Sequence, residues 1–188
     1  LGWTGMAVPE AYGGFDFGYA GLGIVLEETG RTLVSSPLIA STLLSTSLVN
    51  LAGSEEQKAK LLPALVAGEL LMSLALDERV QHQPHNIAST ARKEAEDYII
   101  NGAKTFVLDG HIANTFIVVA RTSGQQTDKE GISLFLVDAK SAGVSTTRTV
   151  MVDSRNSAKL VLSDVHVAAE DLLGEEGQGY AVPHESGT

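Results

Sequence analysis

Gly53–Glu78 reads GSEEQKAKLLPALVAGELLMSLALDE, and within it the hydrophobic period changes once. The first part is helical. Ser54-Glu-Glu-Gln57 has the spacing of a capping box: the Ser54 hydroxyl can accept from the Gln57 N–H while the Gln57 side chain returns to the Ser54 N–H. Pro63 has no N–H to give the ladder and predicts an end or a kink within Leu61–Leu65; Gly68 closes the region. From Leu71 the segments are short and alternating, so Leu71–Leu76 reads as a strand. The boundary between a helical and a β region is expected near Leu70.

Upstream, Leu22, Val25, Leu26 and Thr29 recur at helical spacing, with Glu27, Glu28 and Arg31 on other faces. Gly30 and Arg31 read as a helix end. Pro37 can open the next helix, where its missing N–H costs nothing. Leu44, Leu48 and Leu51 line one face of that helix, its Ser/Thr-rich remainder suggests close packing, and Gly53 stops it. Downstream, further strands are expected at Ala88–Lys93, Tyr98–Ile100, Thr105–Leu108, Thr115–Arg121, Ile132–Val137, Val144–Arg148 and Lys159–Val167. Asp109-Gly110, Ser123-Gly124 and Ala142-Gly143 read as turns, and Asn101-Gly102 is the sharpest hairpin signal. This spacing suggests an antiparallel barrel or sandwich and not βαβ units. The fold class is α+β. A partial helical domain (1–70) precedes a β-barrel-like domain (71–167) and a poorly fixed tail (168–188).

The formal net charge is -10, with no Lys/Arg cluster to offset it, which argues against nucleic-acid binding. There are no cysteines, so disulfides, thiolate metal sites and cysteine nucleophiles are excluded. No apolar run reaches the length of a bilayer span; Leu38–Leu51 is interrupted by Ser41, Thr42, Ser45, Thr46 and Ser47. A first residue of Leu points to a start upstream.

Local chemical motifs are weak. Gly21-Leu-Gly23 begins a dinucleotide fingerprint but lies within a helical pattern, and Leu26 stands where the third glycine belongs. His82 and His85 could hold a metal with Asp77-Glu78, but Pro84 intervenes, and solvated loop residues are the expectation. Asp77 and Glu78, adjacent on a strand, point to opposite faces and do not converge as an acid–base pair. His111, His166 and His184 stand alone, and no G-x-S-x-G occurs. No catalytic or metal-ligating residue is assigned.

A longer pattern is more specific. LGWTGMAVPEAYGG (Leu1–Gly14), EETGRTL (Glu27–Leu33), GSEEQKAKLLPALVAGE (Gly53–Glu69), YIINGAKTFVLDG (Tyr98–Gly110), FIVVART (Phe116–Thr122), GISLFLVD (Gly131–Asp138) and KLVLSDVHVAAEDLLGEEGQGY (Lys159–Tyr180) come in the order and spacing of the acyl-CoA dehydrogenase family. The set resembles part of that family's N-terminal helical domain and its middle β-domain. It is closest to the small-subunit type of pimeloyl-CoA dehydrogenases, where V-L-D-G, A-R-T and G-I-x-L-F-L-V-D are familiar.

The resemblance implies an FAD-dependent oxidoreductase of fatty acid β-oxidation that α,β-dehydrogenates acyl-CoA thioesters. It implies a cytoplasmic protein, homo- or hetero-oligomeric, that passes electrons to an electron-transfer flavoprotein or similar acceptor, with no nucleic-acid or membrane partner. It also implies a further helical domain, C-terminal to residue 188, that carries the catalytic base, so residues 1–188 alone are expected to be inactive. Carried over by position, Leu74, Leu76 and Asp77 approach the flavin, Phe106 packs on its ring, and Val107 and Leu108 continue that platform, with the Leu108 N–H facing the polar edge. Three departures stand out. Asp77 replaces a threonine, Leu108 replaces a hydroxyl residue, and Arg79–Asn86 replaces the P-x-x-G-S-D loop. They keep a second reading open, a partner subunit of a heteromeric dehydrogenase that binds flavin weakly or not at all.

Overall fold

A computed structural model describes residues 2–181. The helical part comprises α1 (Gly18–Arg31), a π-helical stretch Leu38–Ser45 that runs into α2 (Thr46–Ala52), and α3 (Glu55–Ala67). Eight strands succeed them: β1 (Met72–Ala75), β2 (Thr90–Glu94), β3 (Asp97–Leu108), β4 (Thr115–Arg121), β5 (Ile132–Asp138), β6 (Val144–Val150), β7 (Asn156–Val167) and β8 (Leu172–Leu173). No helix among the described residues is long and apolar enough to cross a membrane. Leu1 and His184, with the rest of 182–188, lie outside the described residues.

The sheet runs β6-β7-β3-β2-β4-β5-β8 and is mostly antiparallel. β1 lies parallel to β4, and β2 meets the far end of the same strand at Arg121. β1 and β2 therefore share one lane, split by residues 76–89. The sheet curls on itself: the Tyr98 ring on β3 lies 4.9 Å from the Phe135 ring on β5, although β2 and β4 separate the two strands. Phe116, Val118 and Ala120 face this interior, while Ile117 and Val119 face a second core with Val49, Leu62 and Leu65 of the helices. Burial on both faces explains why Phe116–Ala120 of β4 and Leu134–Val137 of β5 read as unbroken apolar runs.

The capping box forms as expected, with Ser54 Oγ accepting from the Gln57 N–H at 3.2 Å and Gln57 Oε1 accepting from the Ser54 N–H at 3.0 Å. Gly68 ends α3 at φ 73. Pro63 does not end it: α3 runs through to Ala67, because Leu61, Leu62 and Leu65 are buried on either side and packing outweighs one lost ladder bond. In the preceding helix the Ser/Thr-rich face packs closely, as expected, and more deeply than the end of the leucine face. Ser41, Thr42, Ser45 and Thr46 are buried, while Leu51 on the leucine face is 46% exposed. The widened ladder leaves carbonyls that these hydroxyls fill: Ser45 Oγ donates to Ala40 O at 2.8 Å and Thr46 Oγ1 to Ser41 O at 2.9 Å. Residues 168–181 are not loose either, since Gly177 donates to Ser133 Oγ and Gly179 to Ile132 O.

Asn101-Gly102 is not a hairpin turn. β3 continues through it with a bulge, and the turn falls at Ala95-Glu96, between Glu94 and Asp97. Gly102 (φ +155) is there for close approach: an added Cβ would lie 2.1 Å from Ser89 Oγ and 2.8 Å from Ser89 Cα. Gly102→Ala is expected to destabilise by about 2–3 kcal/mol, as overpacking and positive-φ backbone strain combine. Ser89→Ala should not rescue it, because Ser89 Cα stays in the way; recovery of the wild-type melting temperature in the double variant would refute the clash.

Candidate functional site

The split lane between β1 and β2 brings the sequence-selected residues together. Beyond β1, the Asp77 carbonyl accepts from the Thr105 N–H at 2.7 Å, and Ser73 Oγ donates to the Leu108 carbonyl at 2.8 Å. The end of β1 is thus laced to Thr105–Leu108. A second bulge in β3 lies between Lys104 and Val107. Phe106 sits in it at φ 53, outside the ordinary strand region, and its ring is turned outward, 39% exposed. Val107, the next residue, is 1% exposed in the barrel core, so it can offer the site only its main chain. Leu74 and Leu76 are half-buried against the helix-side core, and Leu108 is half-buried.

The two consecutive carboxylates diverge, as expected, although both lie beyond the end of β1 and not on a strand. Asp77 Oδ1 is 2.9 Å from His82 Nδ1. Glu78 turns inward, where its Oε1 meets Lys104 Nζ at 2.7 Å and its two oxygens accept the Ala88 and Ser89 N–H groups. Lys104 Nζ also donates to the Leu76 carbonyl at 3.2 Å. The side chains of this pair are 0% and 7% exposed. Burial pushes the Glu78 carboxyl up, but Lys104 and the amide donors more than offset it, so the group sits below its ordinary value. Burial pushes the Lys104 ammonium down, and attraction to Glu78 returns only part of that.

Arg121, at the end of β4, is the other buried cation. Its guanidinium donates to the carbonyls of His85, Ile87, Ser123, Gln126, Asp128 and Glu130, at 2.8–3.3 Å. It ties residues 85–87 of the inter-lane loop to residues 123–130. Gln126 Nε2 adds a bond to Asn86 Oδ1 at 2.8 Å. Of the two imidazoles in this loop, His82 is engaged by Asp77, while the His85 ring meets Tyr180 edge-on at 6.3 Å. Among the described residues no group of three or more His, Asp or Glu side chains is gathered for a metal.

Lys104 and Arg121 are the residues sequence reasoning missed. Lys104 shares parity with Tyr98 and Ile100, which face inward, and Arg121 ends the buried run Phe116–Ala120; a charge in either place requires a partner. Asp109, just past β3, lines a cleft of about 380 Å³ with Leu33, Val34, Arg155 and Asn156. Burial pushes its carboxyl up, and His111 and Arg155 partly oppose this. A larger cleft, about 1270 Å³, lies between α3 and residues 169–175 and includes none of the residues named above from β1 or β3.

The family model "Acyl-CoA dehydrogenase, N-terminal domain" matches residues 1–69, and "Acyl-CoA dehydrogenase, middle domain" matches 77–165. A 3-(aryl)acrylate reductase from Clostridium sporogenes is 34% identical, over 95% of this chain and 49% of its own length. Butyryl-CoA dehydrogenase from Megasphaera elsdenii superposes with a TM-score of 0.85 at 28% identity, covering 96% of this chain and 50% of that one. A chain of the ChsE4-ChsE5 complex from Mycobacterium tuberculosis superposes with a TM-score of 0.86 at 26% identity, covering 97% and 48%. The chain spans about half the length of these proteins.

Proposed function

Because this chain belongs to the acyl-CoA dehydrogenase family, we propose that it is part of an FAD-dependent oxidoreductase that forms the α,β double bond of acyl-CoA thioesters. In this reading residues 1–70 are part of the helical domain, 71–167 the β-domain and 168–188 the link to a C-terminal helical domain. The observation that carries it is the outward Phe106 ring, held on a strained bulge beside the laced main chains of Leu76–Asp77 and Thr105–Leu108. These residues suit a flat conjugated group: an aromatic face, apolar flanks at Leu74 and Leu76, and main-chain groups at its rim. Bound FAD would supply the hydride acceptor. The chain's own part is to hold that ring rigidly against one face of the acyl chain and to exclude water from it. An electron-transfer flavoprotein or similar acceptor would take the electrons on.

The test is the absorbance of the purified intact protein. Stoichiometric bound flavin, bleached by a saturated acyl-CoA, is the expected result. A protein that retains no flavin and takes up none on addition of FAD overturns the reading. Asp77, a carboxylate in the place of the family's threonine, favours a second reading, a partner subunit of a heteromeric dehydrogenase. Structural likeness to a chain of a two-protein complex is consistent with that. In that case flavin binding and bleaching require co-expression with a second family member.

A further inference from the structure

We propose that His82 is a positioning residue that holds the Asp77 carboxylate to the inter-lane loop and offsets its charge, so that the site accepts flavin with an acidic residue in its rim; the inference rests on the flavin-binding reading above. Charge around the end of β1 is otherwise balanced. Lys104 and Glu78 cancel each other behind Leu76, in contact at 2.7 Å. Asp77 adds a weaker attraction to Lys104, which Glu78 already neutralises in direct contact, and the side chain that meets its carboxylate is His82, at 2.9 Å from Oδ1. Its main chain is fixed by the bond from Thr105, so only the side chain is free to choose a direction, and His82 sets it. The interaction serves in either state of the ring: neutral imidazole can donate Nδ1–H to the carboxylate, and imidazolium also cancels its charge.

His82 can do this because the loop that carries it is anchored. Asn86 donates to the Gln83 carbonyl at 2.9 Å and to Gln83 Oε1 at 2.7 Å, Gln126 holds Asn86, and Arg121 holds the carbonyls of His85 and Ile87. The His82 side chain is 67% exposed while that of Asp77 is 27% exposed, so the histidine covers the carboxylate from the solvent side. Without it, the Asp77 carboxylate is free to turn toward a bound ring. There it would repel the negative charge the ring gains on reduction.

The test is a double-mutant cycle in the intact protein: His82→Ala, Asp77→Thr and the pair combined. FAD affinity of the apoprotein and the flavin midpoint potential are read for each. His82→Ala is expected to weaken FAD binding by about threefold to fivefold, the size of an exposed charged pair, and to lower the potential. Asp77→Thr should bind FAD at least as tightly as wild type and raise the potential. In the Asp77→Thr background, His82→Ala should change neither quantity. A merely structural role for the loop would give the same loss in both backgrounds, and that result overturns the proposal, as does an unchanged His82→Ala protein. Wild-type protein that takes up no FAD overturns the flavin reading together with this one; flavin-replete wild type with an unresponsive His82→Ala overturns this one alone.

Discussion

Glu78→Gln is expected to lower stability by about 3–5 kcal/mol, because it leaves the Lys104 ammonium buried without its counter-charge. For a chain of this size that is roughly 10 °C in melting temperature. The loss is large because Glu78 does three things at once: it neutralises Lys104 and accepts the Ala88 and Ser89 N–H groups at the entrance to β2. Replacing both partners by apolar residues, as in Glu78→Leu with Lys104→Met, should recover much of it, since two desolvated charges disappear together. Acid should mimic the single change. Glu78 is held below 4.5, its value in the unfolded chain, so its contribution is whole above that pH. It fades as pH falls below 4.5 and is gone below the lower folded value. Asp109 and Asp171, pushed up by burial, act in the opposite sense, their share being present at low pH and lost as pH rises through their folded values. Equilibrium unfolding against pH, for wild type and Glu78→Gln, measures the difference. Parallel curves between pH 3 and 6, a window set around ordinary carboxylate values, would rule out an ionised Glu78 as the source.

Arg121→Lys should be nearly as damaging as Arg121→Met, at about 3 kcal/mol, even though the charge is kept. A guanidinium spreads five donor hydrogens over a plane, and here they serve six carbonyls from two loops. A lysine can reach a minority of them, and each part-buried carbonyl left without a donor costs up to about 1–3 kcal/mol before water enters. The damage should be local. Amide exchange should accelerate in residues 82–89 and 122–130, while β4 and β5, packed on both faces, keep their protection. Uniform acceleration across the sheet would show instead that Arg121 supports the barrel as a whole.

The helix caps and the strands were legible because their signals are local. Ser54 and Gln57 satisfy each other three residues apart, and the apolar runs of β4 and β5 are written in consecutive residues. Signals that depend on a distant neighbour were misread. Gly102 resembles a turn residue, but its reason is Ser89, which approaches from the preceding strand lane. Pro63 looks like a helix end until the buried leucines around it are counted. The close packing of Ser41–Thr46 was legible, but the π-helical ladder whose carbonyls take its hydroxyls was not. At the site, the juxtaposition of Asp77 with Phe106 came from family resemblance, and nothing within either segment announces it. Lys104 and Arg121 are charged letters at buried strand positions; the carboxylate that meets Lys104 is distant in sequence, and the carbonyls that meet Arg121 are spread over two loops, one of them just after β4.

The pairing of β3 with β7 also governs the order in which the chain can acquire its shape. It joins Tyr98 to Val167 and Leu108 to Ser157 across a long intervening segment. Contacts of such separation form late, since the loop must close before they return anything. During synthesis, at roughly 5–20 residues per second, the β2–β3 hairpin and the β4–β5 pair can form as they emerge from the ribosome. The outer edge of β3, a twelve-residue strand, then waits several seconds for β7 to appear. An unpaired edge of that length is a template for other chains. The nascent polypeptide is therefore most vulnerable to aggregation while residues 109–155 are being made, and a chaperone that shields the open edge of β3 in that interval would raise the yield of folded protein.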